Sequence, residues 1–227
     1  MALFIVLALI AVQCARLGIA GFLVQSAQDE VGAWTPASPK PDVAQIRRAT
    51  KYYTDSLGYI QGNPWALEGL GAIDLARMRV STIPREALAV TRSARARFRQ
   101  ALLQRPTSPF LWANLALAKL YLDEIDDELQ TALRHADELG PWEPTVQQTV
   151  LFVGLAAWQD LDPDLRQNLA RAIERGATRN TRKMFDIISS YTRFDLICAI
   201  EQYKRIAGRN CATAALDHGA GEAMRRE

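Results

Sequence analysis

The chain opens with an almost uninterrupted apolar run. Residues 2–24 read ALFIVLALIAVQCARLGIAGFLV, and only Gln13 and Arg16 are polar. As a helix this run is ~34 Å long at ~1.5 Å per residue, enough to cross a ~30 Å hydrocarbon core. Its thirteen Leu, Ile, Phe and Val residues favour insertion by roughly 4–8 kcal/mol, and Arg16 opposes it by about 2.5–3.5 kcal/mol. The pattern predicts a transmembrane anchor or signal segment over residues 1–24. A cleaved signal peptide would be cut near Ser26 or Ala27, but no basic residue precedes the apolar run. A lipoprotein signal ending at Cys14 would place the bulky Gln13 where a small residue is expected.

Residues 25–41, QSAQDEVGAWTPASPKP, are polar and hold three prolines. They read as an extended linker. Asp42 then has the character of an N-cap, with Gln45 as its capping-box partner and a helix to about Ser56. Beyond it, a polar residue followed by proline recurs at Asn63-Pro64, Ser108-Pro109, Glu143-Pro144 and Asp162-Pro163. Proline suits the first helical position, and Asn, Ser or Asp before it accepts from the first free amides; Glu143 is a poorer cap. These are four predicted helix starts. No apolar–polar alternation bounded by hairpin turns predicts a strand.

The apolar positions also repeat. Ala94, Phe98 and Ala101 recur as Leu129, Leu133 and Ala136 after 35 residues, and as Leu165, Leu169 and Ala172 after a further 36. Pro106 and Pro141 follow the first two sets, and Gly176 the third. Gaps of four and three place each set on one helix face. This is the second helix of a helix–turn–helix repeat. Trp112, Leu115 and Ala116 fit the first helix of such a repeat, and Leu67, Leu70 and Gly71 fit it loosely. Met78 to about Leu88 reads as an insertion between the helices of the first unit. The expected fold is all-α: TPR-like repeats, an α-solenoid, over residues 42–207, with flanking helices at 42–56 and 180–207 as caps. Residues 208–227 are a C-terminal tail. The expected repeat core is Phe98, Ala101, Trp112, Leu115, Leu133, Ala136, Leu169 and Ala172. Trp142, between two prolines, is expected to fill the gap at a repeat junction.

Composition changes this picture little. The 227 residues carry a net charge of +2, which gives no reason to expect nucleic acid as a partner. Arg92, Arg95 and Arg99 share a helix face near Arg97 and Arg105, and read as a solvated outer face. The acidic run Asp123, Glu124, Asp126, Asp127 and Glu128 lacks the order of a calcium loop and reads as a turn before a helix. His135 reads as a helix-surface histidine. There is no nucleophile elbow, P-loop or dinucleotide fingerprint. No catalytic, cofactor-binding or metal-binding residue is nominated, no cofactor is implied, and an enzyme is not expected.

The pieces RPTSPFLWANLALAKL and LGPWEPTVQQTVLFVGLAAW, within residues 105–161, resemble the VpsP-type polysaccharide biosynthesis proteins of Gram-negative bacteria. The most specific part is Gly140-Pro141-Trp142-Glu143-Pro144. The resemblance implies a non-catalytic scaffold or accessory protein of exopolysaccharide biosynthesis and export. It would act through protein partners, held in the bacterial inner membrane by residues 2–24 with the soluble domain in the periplasm. The alternative is a glycan-binding subunit that guides nascent polysaccharide. In the periplasm Cys198 and Cys211 become candidates for a disulfide. On a helix running to Ala207 and ending at Gly208, the chain could only just return to Cys198, so two unpaired cysteines remain the other option.

Overall fold

The computed structural model describes residues 1–31, 42–208 and 211. Most of the expected linker and tail lie outside these residues. The described chain is all-helical, with no strand among the described residues. It divides into two compact units, Met1–Asp123 and Glu124–Glu227, with the boundary inside the acidic run.

The first unit holds α1 (Ala2–Val31), α2 (Val43–Tyr59), α3 (Pro64–Val80), α4 (Pro84–Leu102) and α5 (Pro109–Tyr121). Helix α1 runs seven residues past the predicted anchor, so the first part of the expected linker is helical. Its last turns are apolar at the right spacing: Ala20, Val24 and Ala27 are buried, on one stripe. Val24 and Ala27 join Ile46, Ala49, Tyr53, Ala66, Leu70 and Ile73 in one core. Asp42 precedes α2 but makes no side-chain cap bond, which removes the expected capping box. The helix also outruns Ser56, ending at Tyr59.

The expected insertion between α3 and α4 is absent. Only residues 81–83 separate them, because both helices are longer than a typical repeat helix. Pro84 opens α4 at its first position; the sequence pattern missed it because Ile83, not a polar cap, precedes it. Helices α3 and α4 pack closely at Gly71, where an added Cβ would come 2.5 Å from Cε1 of Phe98. This pairs the small position of the first-helix pattern with the large position of the second.

The second unit holds α6 (Asp127–Leu139), α7 (Pro144–Ala156), α8 (Pro163–Arg179), α9 (Thr181–Ser190), a short 3₁₀ turn (Phe194–Leu196) and α10 (Glu201–Ala207). The single helix expected over 180–207 is thus broken twice. Thr192, with φ 54°, adopts a left-handed conformation costly for a β-branched residue, just where α9 stops. Helix α7 packs against α8, and Gly154 permits this because an added Cβ would meet Cδ2 of Leu169 at 2.6 Å.

Three of the four polar–proline starts are capped as expected, and Asp126 adds a cap that the polar–proline pattern does not mark. The side chains of Asn63, Ser108, Asp126 and Asp162 accept from Trp65, Leu111, Leu129 and Leu165 N–H at 3.1, 3.4, 3.0 and 2.7 Å. Glu143 makes no such bond. All nine residues of the three in-phase sets are buried, as are Leu67, Leu70, Leu115 and Ala116. Trp112 is the exception in the expected core. It is half-buried, and its Nε1 donates to the Pro106 carbonyl at 2.7 Å. The indole therefore holds the preceding turn rather than filling the interior.

Candidate membrane anchor and surface sites

Helix α1 meets two environments. From Met1 to Ile19 every residue is exposed, although nearly all are apolar. It is the one described helix long and apolar enough to cross a membrane. Its C-terminal third belongs to the folded unit. Ser56 Oγ donates to the Ala20 carbonyl at 3.0 Å, and Asn63 Nδ2 donates to Ser56 Oγ at 3.0 Å. Arg48 pairs with Glu30 at 2.8 Å, and the hydrogen bond from Arg48 holds the Glu30 carboxyl below its ordinary range. Arg16 Nη2 donates to the Tyr59 carbonyl at 2.7 Å. That carbonyl lies at the end of α2, where the helix dipole favours a cation. The pairings Arg16–Tyr59, Ala20–Ser56 and Glu30–Arg48 run in opposite directions along the two helices, so α1 and α2 are antiparallel.

Two arginines of the supposed solvated face are drawn inward. Arg97 donates to the Leu70 carbonyl at 3.3 Å and pairs with the buried Asp74. Burial raises the Asp74 carboxyl above its ordinary value, against the Ser93 hydrogen bond and the charges of Arg97 and Arg77. Arg105 reaches Glu68 at 2.5 Å and covers the Trp65 ring at 3.2 Å. Burial likewise outweighs Arg105 and raises the Glu68 carboxyl. Arg92 and Arg99 remain exposed, and Arg95 is half-buried. The hydrogen-bonding demands of the buried carboxylates explain the inward pair, and no sequence spacing announces them.

At one end of the first unit, Val43, Ile46, Val80, Ala89 and Val90 line an open groove of about 390 Å³, with Arg77 and Glu86 among its polar wall residues. In the second unit Trp142 is 51% exposed, and Arg179 stands 5.3 Å from the ring centroid. Trp142 is thus half exposed and covers the repeat junction only in part. His135 is a surface residue 3.8 Å from Glu138. Asp126 caps α6, and Asp127 and Glu128 occupy its first turn, where its dipole favours acids. No group of three His, Cys, Asp or Glu side chains among the described residues is placed to hold a metal.

Cys198 and Cys211 are joined in a disulfide, with Cα atoms 5.4 Å apart. Cys198 lies before α10 rather than inside a long helix. The bridge closes across the short α10, and Gly208, with φ 51°, turns the chain back. Tyr203 anchors α10 from the buried side, its hydroxyl donating to the Ile173 carbonyl at 3.2 Å. Cys14 is free and exposed on α1.

Compared with protein-family models, curated proteins and solved structures, the chain matches none.

Proposed function

We propose that this chain is a single-pass membrane protein whose helical domain is a TPR-like scaffold, serving exopolysaccharide biosynthesis and export through protein partners. The observation that carries the anchor is the fully exposed apolar length of α1, continuous with turns built into the domain core. A cut near Ser26 or Ala27 would remove Val24 from that core and the Ala20 carbonyl from Ser56, which argues against a cleaved signal. The repeat reading is supported by the burial of all three in-phase sets and by the close approach of Gly71 to Phe98. The Cys198–Cys211 disulfide supports an oxidising compartment, the periplasm in a Gram-negative cell. The exopolysaccharide role rests on the resemblance around Gly140–Pro144.

A glycan-binding subunit is the second reading. It is favoured by Trp142, half-exposed beside Arg179, because a sugar ring stacks on an accessible indole. The two readings are separated by crosslinking the full-length protein in its native membranes, solubilising it in mild detergent and identifying what it carries. Subunits of a polysaccharide synthesis or export complex are the expected catch. A catch without such subunits overturns the scaffold role, and release of the protein by alkaline carbonate overturns the anchor.

A further inference from the structure

We propose that the end of the first unit from which α1 emerges lies in the bilayer interface, with Tyr59, Trp65, Leu103 and Phe110 as its lipid-contacting side chains. The proposal rests on the reading of α1 as a membrane span and adds a second point of attachment to it.

The first argument is one of length. Arg16 is tied to the end of α2 through the Tyr59 carbonyl, so the domain begins level with Arg16. The apolar run before it, residues 2–15, rises about 21 Å at ~1.5 Å per residue. That is about 9 Å short of a ~30 Å hydrocarbon core. Hydrocarbon cover for the remaining exposed apolar residues of α1, Leu17 and Ile19 among them, requires the domain to sink by a similar amount. Amphipathic surfaces at the interface sit ~5–10 Å deep, so the required depth is an ordinary one.

The second argument is what that end presents. A chain of contacts places the side chains there. Asn63 bonds Ser56, which bonds Ala20 of α1. Trp65 N–H donates to Asn63, Gln104 Nε2 donates to the Gly62 carbonyl at 2.5 Å, and Arg105 donates to Ser108 Oγ at 3.4 Å, one residue before Pro109 opens α5. Around this junction Leu103 is 85% exposed, Trp65 49%, Tyr59 38% and Phe110 37%. Tyr and Trp are the residues that favour the headgroup level.

The third argument is charge. The α2–α3 connection, Tyr59 to Pro64, holds no ionisable side chain except the Tyr59 phenol, and the α4–α5 connection, Leu102 to Pro109, holds only Arg105. Arg105 is already matched by Glu68, Arg16 is bonded to the Tyr59 carbonyl, and Asp55, one turn back along α2, is paired with Lys51, so the charges within the immersed depth are each partnered. The opposite end is different: Glu30, Arg48, Arg77, Arg79, Arg85 and Glu86 cluster around the end of α1, the start of α2 and the α3–α4 connection. Exposed apolar residues occur there too, Val43 and Ile83 among them, but they stand among charges, and Tyr121, the aromatic beside Arg79, is half-buried rather than exposed.

The test uses the full chain in vesicles of phosphatidylethanolamine and phosphatidylglycerol. A Cys14→Ala background leaves only the bridged cysteines. Nitroxide labels are placed singly at Leu103→Cys, Ile83→Cys and Leu9→Cys, and collision rates with oxygen and with a water-soluble nickel chelate are compared. The oxygen-to-nickel ratio at Leu103 is expected to be several-fold above that at Ile83 and to approach that at Leu9. If Leu103 matches Ile83 while Leu9 remains in lipid, the interfacial contact is overturned and the anchor stands. If all three sites are equally open to nickel, the anchor fails and the interfacial contact with it.

Discussion

Gly69 of α3 lies directly against the ring of Tyr53 on α2: a Cβ added at Gly69 would come 2.1 Å from Tyr53 Cζ. The ring is buried in the core that joins α1, α2 and α3, and burial pushes its hydroxyl up to about 12. A rigid aromatic plate has no flexible end with which to give way.

Gly69→Ala should therefore destabilise the first unit. Alanine is the better helix former by ~1 kcal/mol, but overpacking against the rigid ring costs up to about 3 kcal/mol, so a net loss of up to about 2 kcal/mol is expected in urea unfolding. Gly58→Ala, in α2 with nothing within 4 Å of the added Cβ, should be neutral or stabilising. Equal effects at the two sites would contradict the α2–α3 contact.

Ala136→Leu probes the repeat face. Ala136 is fully buried on α6, and the added bulk should cost ~1–3 kcal/mol. An unchanged melting temperature would count against close helix packing at the third position of the in-phase sets.

Glu68 sets a pH dependence. Its folded pKa lies above the ordinary 4.5, because burial outweighs Arg105. For a carboxyl raised on folding, the stabilising contribution is complete below the unfolded value and is lost as pH rises through the folded value. Glu68→Gln is neutral at every pH and escapes this loss. It should gain stability relative to the wild type between pH just below 4.5 and neutrality. Parallel stability profiles across that window would refute the raised value.

The disulfide spans 13 residues, and opening a loop of that size costs roughly 3 kcal/mol. Reduction, or the double change Cys198→Ser and Cys211→Ser, should lower the stability of the second unit by about that amount. Thiol labelling of the unfolded, unreduced protein should modify Cys14 alone; labelling of all three cysteines would show that the bridge is absent.

The elements carried their own signals. Asn63, Ser108 and Asp162 before proline mark helix starts because capping and the fixed φ of proline act within a few residues. The buried faces of α4, α6 and α8 were readable because helical periodicity is a local rule. Pro84 was missed for a local reason too, since Ile83 supplies no cap. Of the surface features, the apolar length of α1 was plain, but its division into a free stretch and a packed stretch was not.

The amino-acid order therefore settles where most helices begin, which face each buries and that one apolar helix is long enough for a membrane. These follow from short-range sterics, hydrogen bonding and hydrophobic periodicity. It leaves open which partners those faces meet. Arg16 reads as a lone charge in an apolar run until α2 brings the Tyr59 carbonyl to it across 43 residues. Arg97 and Arg105 read as surface charges until Asp74 and Glu68 come within reach. Cys198 and Cys211 looked barely bridgeable along an unbroken helix; a break before α10 and a reversal at Gly208 bring them together. Such contacts depend on helix lengths and breaks summed over many residues. A small error in either rotates a side chain to another face, so only the folded coordinates identify them.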